Sequence, residues 1–274
     1  MAGHAGVVPS SPTSRARGLL AALSDLVLPA GCAGCGAPGR PWCARCGAGL
    51  GSPRVLAPIG GRCPDPGPGV GRRPGPADDW PLTVAVGAYH GPLRAALLAY
   101  KERGRRELGP PLAALLAGAL AGGPLAPLLA GPCWLVPAPS RAAVARARGG
   151  QHMLALAERV AEKLAPRCAA EGGSIGLTPA LRMRPGGRDS VGLDAAARAA
   201  NLSGRVLPRV DRLPPAGAAV LLLDDVLTTG ATVRGCTAAL RGAGVGIRGV
   251  LVLCDATGAS AYHTAPEGVP TDPL

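Results

Sequence analysis

Asp224 and Asp225 close a short apolar run, Ala218-Ala-Val-Leu-Leu-Leu223, and are followed by Val226, Leu227, Thr228, Thr229, Gly230, Ala231 and Thr232. A buried strand that ends in two carboxylates and turns through threonines and a glycine into a helix is suited to holding an anion. Backbone N–H groups around Thr228 to Thr232, with the helix N-terminus, supply fixed partial positive charge. The threonine hydroxyls add donors, and Gly230 lets the backbone come close to the ligand. Two carboxylates beside such a cradle repel a phosphate unless they address something else. Vicinal hydroxyls donate to carboxylates, and Mg²⁺ takes carboxylates directly or through water, so Asp224 and Asp225 are candidate Mg²⁺ contacts as well. A ligand that combines a phosphate, a diol and a metal-bound pyrophosphate satisfies all these groups together.

A second group with chemical potential lies near the N-terminus. Cys32-x2-Cys35 and Cys43-x2-Cys46 form two knuckles separated by seven residues that include Gly36, Gly39 and two prolines. Each knuckle presents two thiolates to one metal, and two knuckles complete a tetrahedral structural Zn²⁺ site. A redox pair or free thiols are the alternatives. Cys63 has no partner at knuckle spacing, while Cys133, Cys168, Cys236 and Cys254 fall in strand or helix patterns and read as buried apolar residues. Nine cysteines, four of them in this pattern, argue against a secreted disulfide framework and for a reducing cytoplasm.

The elements that must position these groups follow from periodicity. Residues 82–89 read as a strand, 92–102 as a helix with Pro92 in its first turn, and 107–121 as a second Ala/Leu helix. A buried strand over 133–136, an Arg-rich loop over 137–150, a helix over 151–165 and a strand near 174–182 come next. A polar, Arg-bearing segment over 183–205 leads to the apolar run at 218–223, which has the composition of a central parallel strand. A helix over about 230–243 and a strand over 249–254 complete the pattern. Strands alternating with helices predict an α/β fold with a parallel sheet and right-handed crossovers.

The flanks divide by composition. Residues 1–18 read as a disordered tail, 19–50 as a short amphipathic helix plus the four-cysteine zinc-binding module, and 51–79 as a Gly/Pro/Arg-rich linker. The main domain is expected over 80–256, with a C-terminal tail over 257–274. The 274 residues suit one large domain and a small appendage. Although Gly and Pro number 42 and 30, a hydrophobic content of 47% requires a folded core, and the absence of Phe makes it aliphatic. With three Trp and three Tyr, stacking of single strands on an open aromatic platform is disfavoured. A net charge of +12 attracts polyanions, whether nucleic acid or a multiply phosphorylated small molecule. No apolar run approaches the length of a membrane span, and Asp25 and Pro29 argue against a cleavable export signal.

The stretch from Val220 to Thr232 resembles the binding loop of phosphoribosyltransferases: four apolar residues, two acids, an apolar residue, then x-Thr-Thr-Gly-x-Thr. The resemblance extends over most of the chain to the ComF-type proteins associated with bacterial DNA uptake. It is carried by Tyr100-Lys101-Glu102-Arg103-Gly104, Val136-Pro137-Ala138-Pro139, the turn from Arg141 to Arg148-Gly149, Val191-Gly192-Leu193, and Arg198 with Asn201. The resemblance implies a type I phosphoribosyltransferase-like domain preceded by a zinc-knuckle module. It also implies phosphoribosyl pyrophosphate, or another ribose 5-phosphate ligand, bound with Mg²⁺. Asp224 and Asp225 would contact the ribose hydroxyls, and Thr228 to Thr232 would hold the 5′-phosphate. Pro137, Ala138, Arg141, Arg146 and Arg148 would line the pyrophosphate side, where guanidinium pairs bidentately with phosphate oxygens. Arg184, Arg188 and Arg198 would ride on a flap that closes over the site.

Two departures touch acceptor recognition: Gly150-Gln151-His152 stands where an aromatic residue and Asn-Gln are usual, and Ser190 where Gln is common. His152 reads as a helix N-terminal residue before it reads as a general base. Three functions stay open: phosphoribosyl transfer to an acceptor, a non-catalytic accessory protein that binds single-stranded DNA or a DNA-uptake helicase, and a sensor of phosphoribosyl pyrophosphate.

Overall fold

The computed structural model describes residues 31–59, 80–140, 145–146, 149–184 and 205–258. The expected tail over 1–18, the helix over 19–27, Cys63, Arg141, Arg148, Arg188, Ser190, the Val191-Gly192-Leu193 motif, Arg198 and Asn201 lie outside these residues.

Among the described residues the strands are, in chain order, β1 Arg54–Leu56, β2 Leu82–Ala88, β3 Pro132–Pro137, β4 Ser174–Leu177, β5 Leu181–Met183, β6 Val206–Pro208, β7 Ala219–Leu227 and β8 Ile247–Asp255. The α-helices that lie wholly within the described residues are α1 Ala44–Ala48, α2 Gly91–Glu102, α3 Gly109–Gly122, α4 His152–Ala170 and α5 Ala231–Gly242. The main sheet has the order β1-β2-β8-β7-β3-β4, and β5 and β6 pair separately. All neighbours in the main sheet are parallel except β1, which runs antiparallel to β2.

The apolar run of β7 is read on both faces, as a central parallel strand requires. Leu221 and Leu223 pack with Leu251 and Leu253 of β8 against α2, α3 and α4. Val220 and Leu222 pack with Val250 and Val252 against Val233, Cys236 and Leu240 of α5. The four isolated cysteines, Cys133, Cys168, Cys236 and Cys254, are all fully buried among these residues.

The strand order reverses between β3 and β7. From β3 the chain crosses through α4 to β4 on one side, and from β7 it crosses through α5 to β8 on the other. Crossovers of one hand running in opposite directions put their helices on opposite faces, and such a switch point is where α/β sheets generally open a crevice. The β3–β7 ladder stops at Pro137 opposite Leu223, with the Ala138 amide donating to the Leu223 carbonyl at 2.8 Å. Beyond that point β7 continues against β8 alone, pairing Asp224 with Val252, Val226 with Cys254 and Leu227 with Asp255.

Two expectations are corrected. The strand does not end at Leu223: the backbone of Asp224 to Leu227 stays in the ladder because charged side chains leave peptide N–H and C=O groups free to pair. Residues 51–79 are not linker throughout. Arg54–Leu56 add a strand to the sheet edge, and Leu56 is buried. The module that carries the cysteines is likewise packed onto the main domain, with Ala33, Trp42 and Leu50 against its core. Among the described residues no helix is long and apolar enough to cross a membrane.

Candidate functional site

The two acids occupy successive positions of an extended strand, so their side chains leave on opposite faces. Asp224 follows Leu222 onto the α5 side, where burial and then the Asp225 charge raise its carboxyl to about 8 against the opposing Asp225 amide and Lys101. Its Oδ1 accepts the Asp225 amide at 2.8 Å. Asp225 follows Leu223 onto the α2–α4 side. There its Oδ2 meets Lys101 Nζ at 2.8 Å and His152 Nε2 at 2.6 Å. Burial pushes the Asp225 carboxyl up, but the His152 hydrogen bond and the Lys101 charge outweigh it and hold the group below the ordinary carboxylate value. The ionised carboxylate accepts, so Nε2 carries the proton, which leaves Nδ1 as the buried ring atom without a hydrogen-bond partner among the described residues.

This arrangement modifies the expectation that both acids stand free for one diol. Asp225 is held in an internal ion pair with Lys101 through one oxygen only: both Lys101 Nζ and His152 Nε2 converge on Oδ2. Its Oδ1 faces no described partner. The Lys101 charge offsets that of Asp225, and burial pushes the Asp224 carboxyl up, so both reduce the negative charge that two adjacent carboxylates would set against a phosphate.

The turn after β7 has the predicted form. Thr228 and Thr229 are exposed, Gly230 is the N-cap of α5 in the left-handed region (φ 71°, ψ 7°), and Ala231 and Thr232 open the helix. The role of Gly230 differs from the one expected. A Cβ there would lie 2.5 Å from the Trp80 ring as well as forcing a left-handed side-chain residue. Trp80 thus seats on the turn, and the Arg234 guanidinium stacks over the same indole, 5.8 Å from its centroid. Arg234 donates to the carbonyls of Thr229 and Ile59, the latter at 3.2 Å. The turn is therefore braced by residues on either side of the segment 60–79, which nothing in the local sequence pattern of the loop announces.

Across the crevice, Pro137 and Ala138 are buried at the end of β3, while Arg146 is exposed in the turn that leads to α4. Arg106, at the start of the α2–α3 connection, reaches the same turn: a Cβ on Gly149 would lie 3.1 Å from its Nη2. The β5–β6 ribbon forms the base of the expected flap, with the Arg184 amide donating to the Arg205 carbonyl at 2.8 Å.

Sequence reasoning missed Lys101 and His152 as partners of Asp225, although a signal was present. Lys101 continues the buried spacing of Leu93 and Leu97 along α2, and His152 that of Leu156, Val160 and Leu164 along α4. A charged residue on an apolar stripe calls for a partner.

The four knuckle cysteines come together, their Sγ atoms all within 4.8 Å of one another. Cys32 and Cys46 stand 3.7 Å apart, and Cys35 and Cys43 3.6 Å. The edge of a tetrahedron with Zn–S bonds of about 2.3 Å is about 3.8 Å, so the thiols have the spacing of one tetrahedral centre. Burial pushes the Cys32 thiol up, but hydrogen bonds from the amides of Cys35, Cys43 and Gly34 outweigh it and bring the group down to about 6. Burial and the neighbouring thiols raise Cys46 instead. A thiolate anchored by amides beside three more thiols is a starting point for metal capture. Cys35 and Cys46 also face a cavity of about 530 Å³ lined by Arg45, Arg54 and His90, which gives this corner of the cluster access from outside.

No protein-family model matches the chain, and no curated protein matches it in sequence.

Proposed function

We propose that the chain binds phosphoribosyl pyrophosphate with Mg²⁺ in the crevice between β3 and β7, as a protein of the phosphoribosyltransferase kind. The observation that carries this reading is the turn from Thr228 to Thr232. Exposed hydroxyls and free helix amides stand directly after two acids at the point where the strand order reverses, which is where α/β sheets receive ligands. The 5′-phosphate lies on the turn, and the open Oδ1 of Asp225 accepts from a ribose hydroxyl. The pyrophosphate extends toward Ala138 and Arg146. Burial pushes the Asp224 carboxyl up and Asp225 Oδ2 is already taken, so neither acid stands as a free carboxylate for Mg²⁺. Asp224 and Asp225 would contact Mg²⁺ through the ligand or water rather than directly, and the ion would supply neutralisation of the leaving pyrophosphate charge.

The cysteine cluster supports a structural Zn²⁺, whose four thiolate ligands close the site to other chemistry.

Titration calorimetry of the full chain with phosphoribosyl pyrophosphate and Mg²⁺ tests the reading. Binding by the wild type, weakened about tenfold or more by Thr228→Val with Thr229→Val, is the expected outcome, since each removes a hydrogen bond to a charged group. Equal affinity of the two proteins places the phosphate elsewhere.

A further inference from the structure

We propose that Arg105 is a positioning residue that couples the metal-bearing cysteine module to the Lys101–Asp225 pair, so that occupancy of the cluster tunes the crevice. The inference rests on the proposed function only for the identity of the ligand.

The contacts form one continuous path. Arg105 Nη2 donates to the carbonyl of Gly31 at 2.9 Å, and Gly31 immediately precedes Cys32. The position of Gly31 is dictated by the knuckle turn, because a Cβ there would lie 2.7 Å from the Gly36 carbonyl oxygen. The knuckle is closed in turn by the Cys32 amide on the Ala37 carbonyl at 2.7 Å and the Cys43 amide on Cys32 Sγ at 3.4 Å. On the other side, the Arg105 amide bonds the Ala99 carbonyl at 3.2 Å, which fixes the turn at the end of α2. Lys101 lies within that last helical turn and reaches Asp225 at 2.8 Å. The next residue, Arg106, stacks on Tyr100 and abuts Gly149, just ahead of His152, the second partner of Asp225.

The module also grips the opposite end of α2. A Cβ on Gly34 would lie 2.6 Å from Pro92 and 2.8 Å from Cys46 Sγ, so the first knuckle, the second knuckle and the first turn of α2 meet at one point. The helix that carries Lys101 is thus seated on the cysteine module at both ends. Two knuckles joined by a glycine- and proline-rich loop hold one shape when four thiolates share an ion, and that shape falls away when the ion leaves. The seat of α2 shifts with it, and Lys101 with α2. Because coupling between two sites is reciprocal, a ligand that fixes Asp225 and Lys101 must in turn favour the metal-loaded cluster.

Nuclear magnetic resonance on the full chain tests the path without any ligand. Arg105→Met keeps an unbranched apolar stem and removes the guanidinium, and with it the Nη2 bond to Gly31 and the exposed Nε pairing with Glu107 at 2.6 Å. We expect this variant to retain wild-type zinc content and to displace the Asp225 amide and His152 imidazole signals, in the same direction as chelation of the metal from the wild type. Unmoved signals in a zinc-loaded Arg105→Met protein overturn the inference. Release of zinc to a chromophoric chelator gives a second readout. Phosphoribosyl pyrophosphate with Mg²⁺ should slow release from the wild type about fivefold or more and leave the variant unaffected, within the usual range of such couplings. Equal slowing in both proteins contradicts the coupling but upholds the ligand, whereas no binding to the wild type by calorimetry removes the ligand and leaves the resonance test to decide the path.

Discussion

Lys101 Nζ and His152 Nε2 stand 2.8 Å and 2.6 Å from the same oxygen of Asp225, one at the end of α2 and the other at the start of α4. The convergence fixes the carboxylate through one oxygen and leaves the second without a partner among the described residues. Lys101 is largely buried, its side chain 15% exposed, so its removal leaves a charged acid with a single partner. Lys101→Met should therefore raise the Asp225 carboxyl and cost about 1–3 kcal/mol of stability at neutral pH, readable by chemical denaturation. A change within a few tenths of a kcal/mol would mean that the pair is solvated and carries no positioning.

Asp224 makes a prediction of opposite sign. Its folded-state carboxyl is raised from the ordinary 3.8 to about 8, so the stability associated with its proton is full below about pH 4 and is lost as pH climbs toward 8. Asp224→Asn mimics the protonated form. Thermal melts should show the variant more stable than the wild type at pH 9, by several degrees, with little difference near pH 4. Asp225, held low, loses its contribution only in more acidic solution and does not interfere in this window. Equal melting behaviour at both pH values would falsify the assignment of a neutral Asp224.

Gly230 is constrained twice, by its positive φ and by the Trp80 ring. Gly230→Ala should destabilise by about 1–3 kcal/mol. Pairing it with Trp80→Ala relieves the steric part, so the double variant should be less destabilised than the sum of the two single changes. Strict additivity in a double-mutant cycle would show that the indole does not press on the turn.

Each chain should carry one metal ion, measured by elemental analysis, and zinc is the ion that four thiolates at this spacing select. Cys46→Ser, which changes a buried member of the cluster, should lose the metal and lower the melting temperature. A protein isolated under reducing conditions without bound metal, and with unchanged stability in chelator, contradicts a structural centre.

The parallel architecture was legible because β7 and β8 each contain an unbroken apolar run, Ala219–Leu223 and Val250–Cys254, and the helices between strands keep a 3.6-residue period. The strand–turn–helix form after β7 was legible for the same local reason: its residue types are all contiguous. The partners of Asp225 were not, since Lys101 and His152 meet it only through the packing of three elements distant in sequence. The extension of β7 to Leu227 was hidden by the acids, whose side chains resemble a strand stop although their backbone groups pair with β8. Three residues, Arg54–Leu56, are too few for a periodic signal, and their Gly- and Pro-rich surroundings masked an edge strand. Trp80 closing over Gly230 shows a further limit, because a glycine placed for a ligand and one placed for an indole read identically.

Amide resonances of the turn offer the most direct measurement. Adding phosphoribosyl pyrophosphate with Mg²⁺ to isotopically labelled protein should shift Thr228 through Thr232 and Asp225 saturably, with smaller changes at Ala138. Shifts confined to other surfaces, or none at millimolar ligand, would show that this crevice does not receive a phosphorylated ribose.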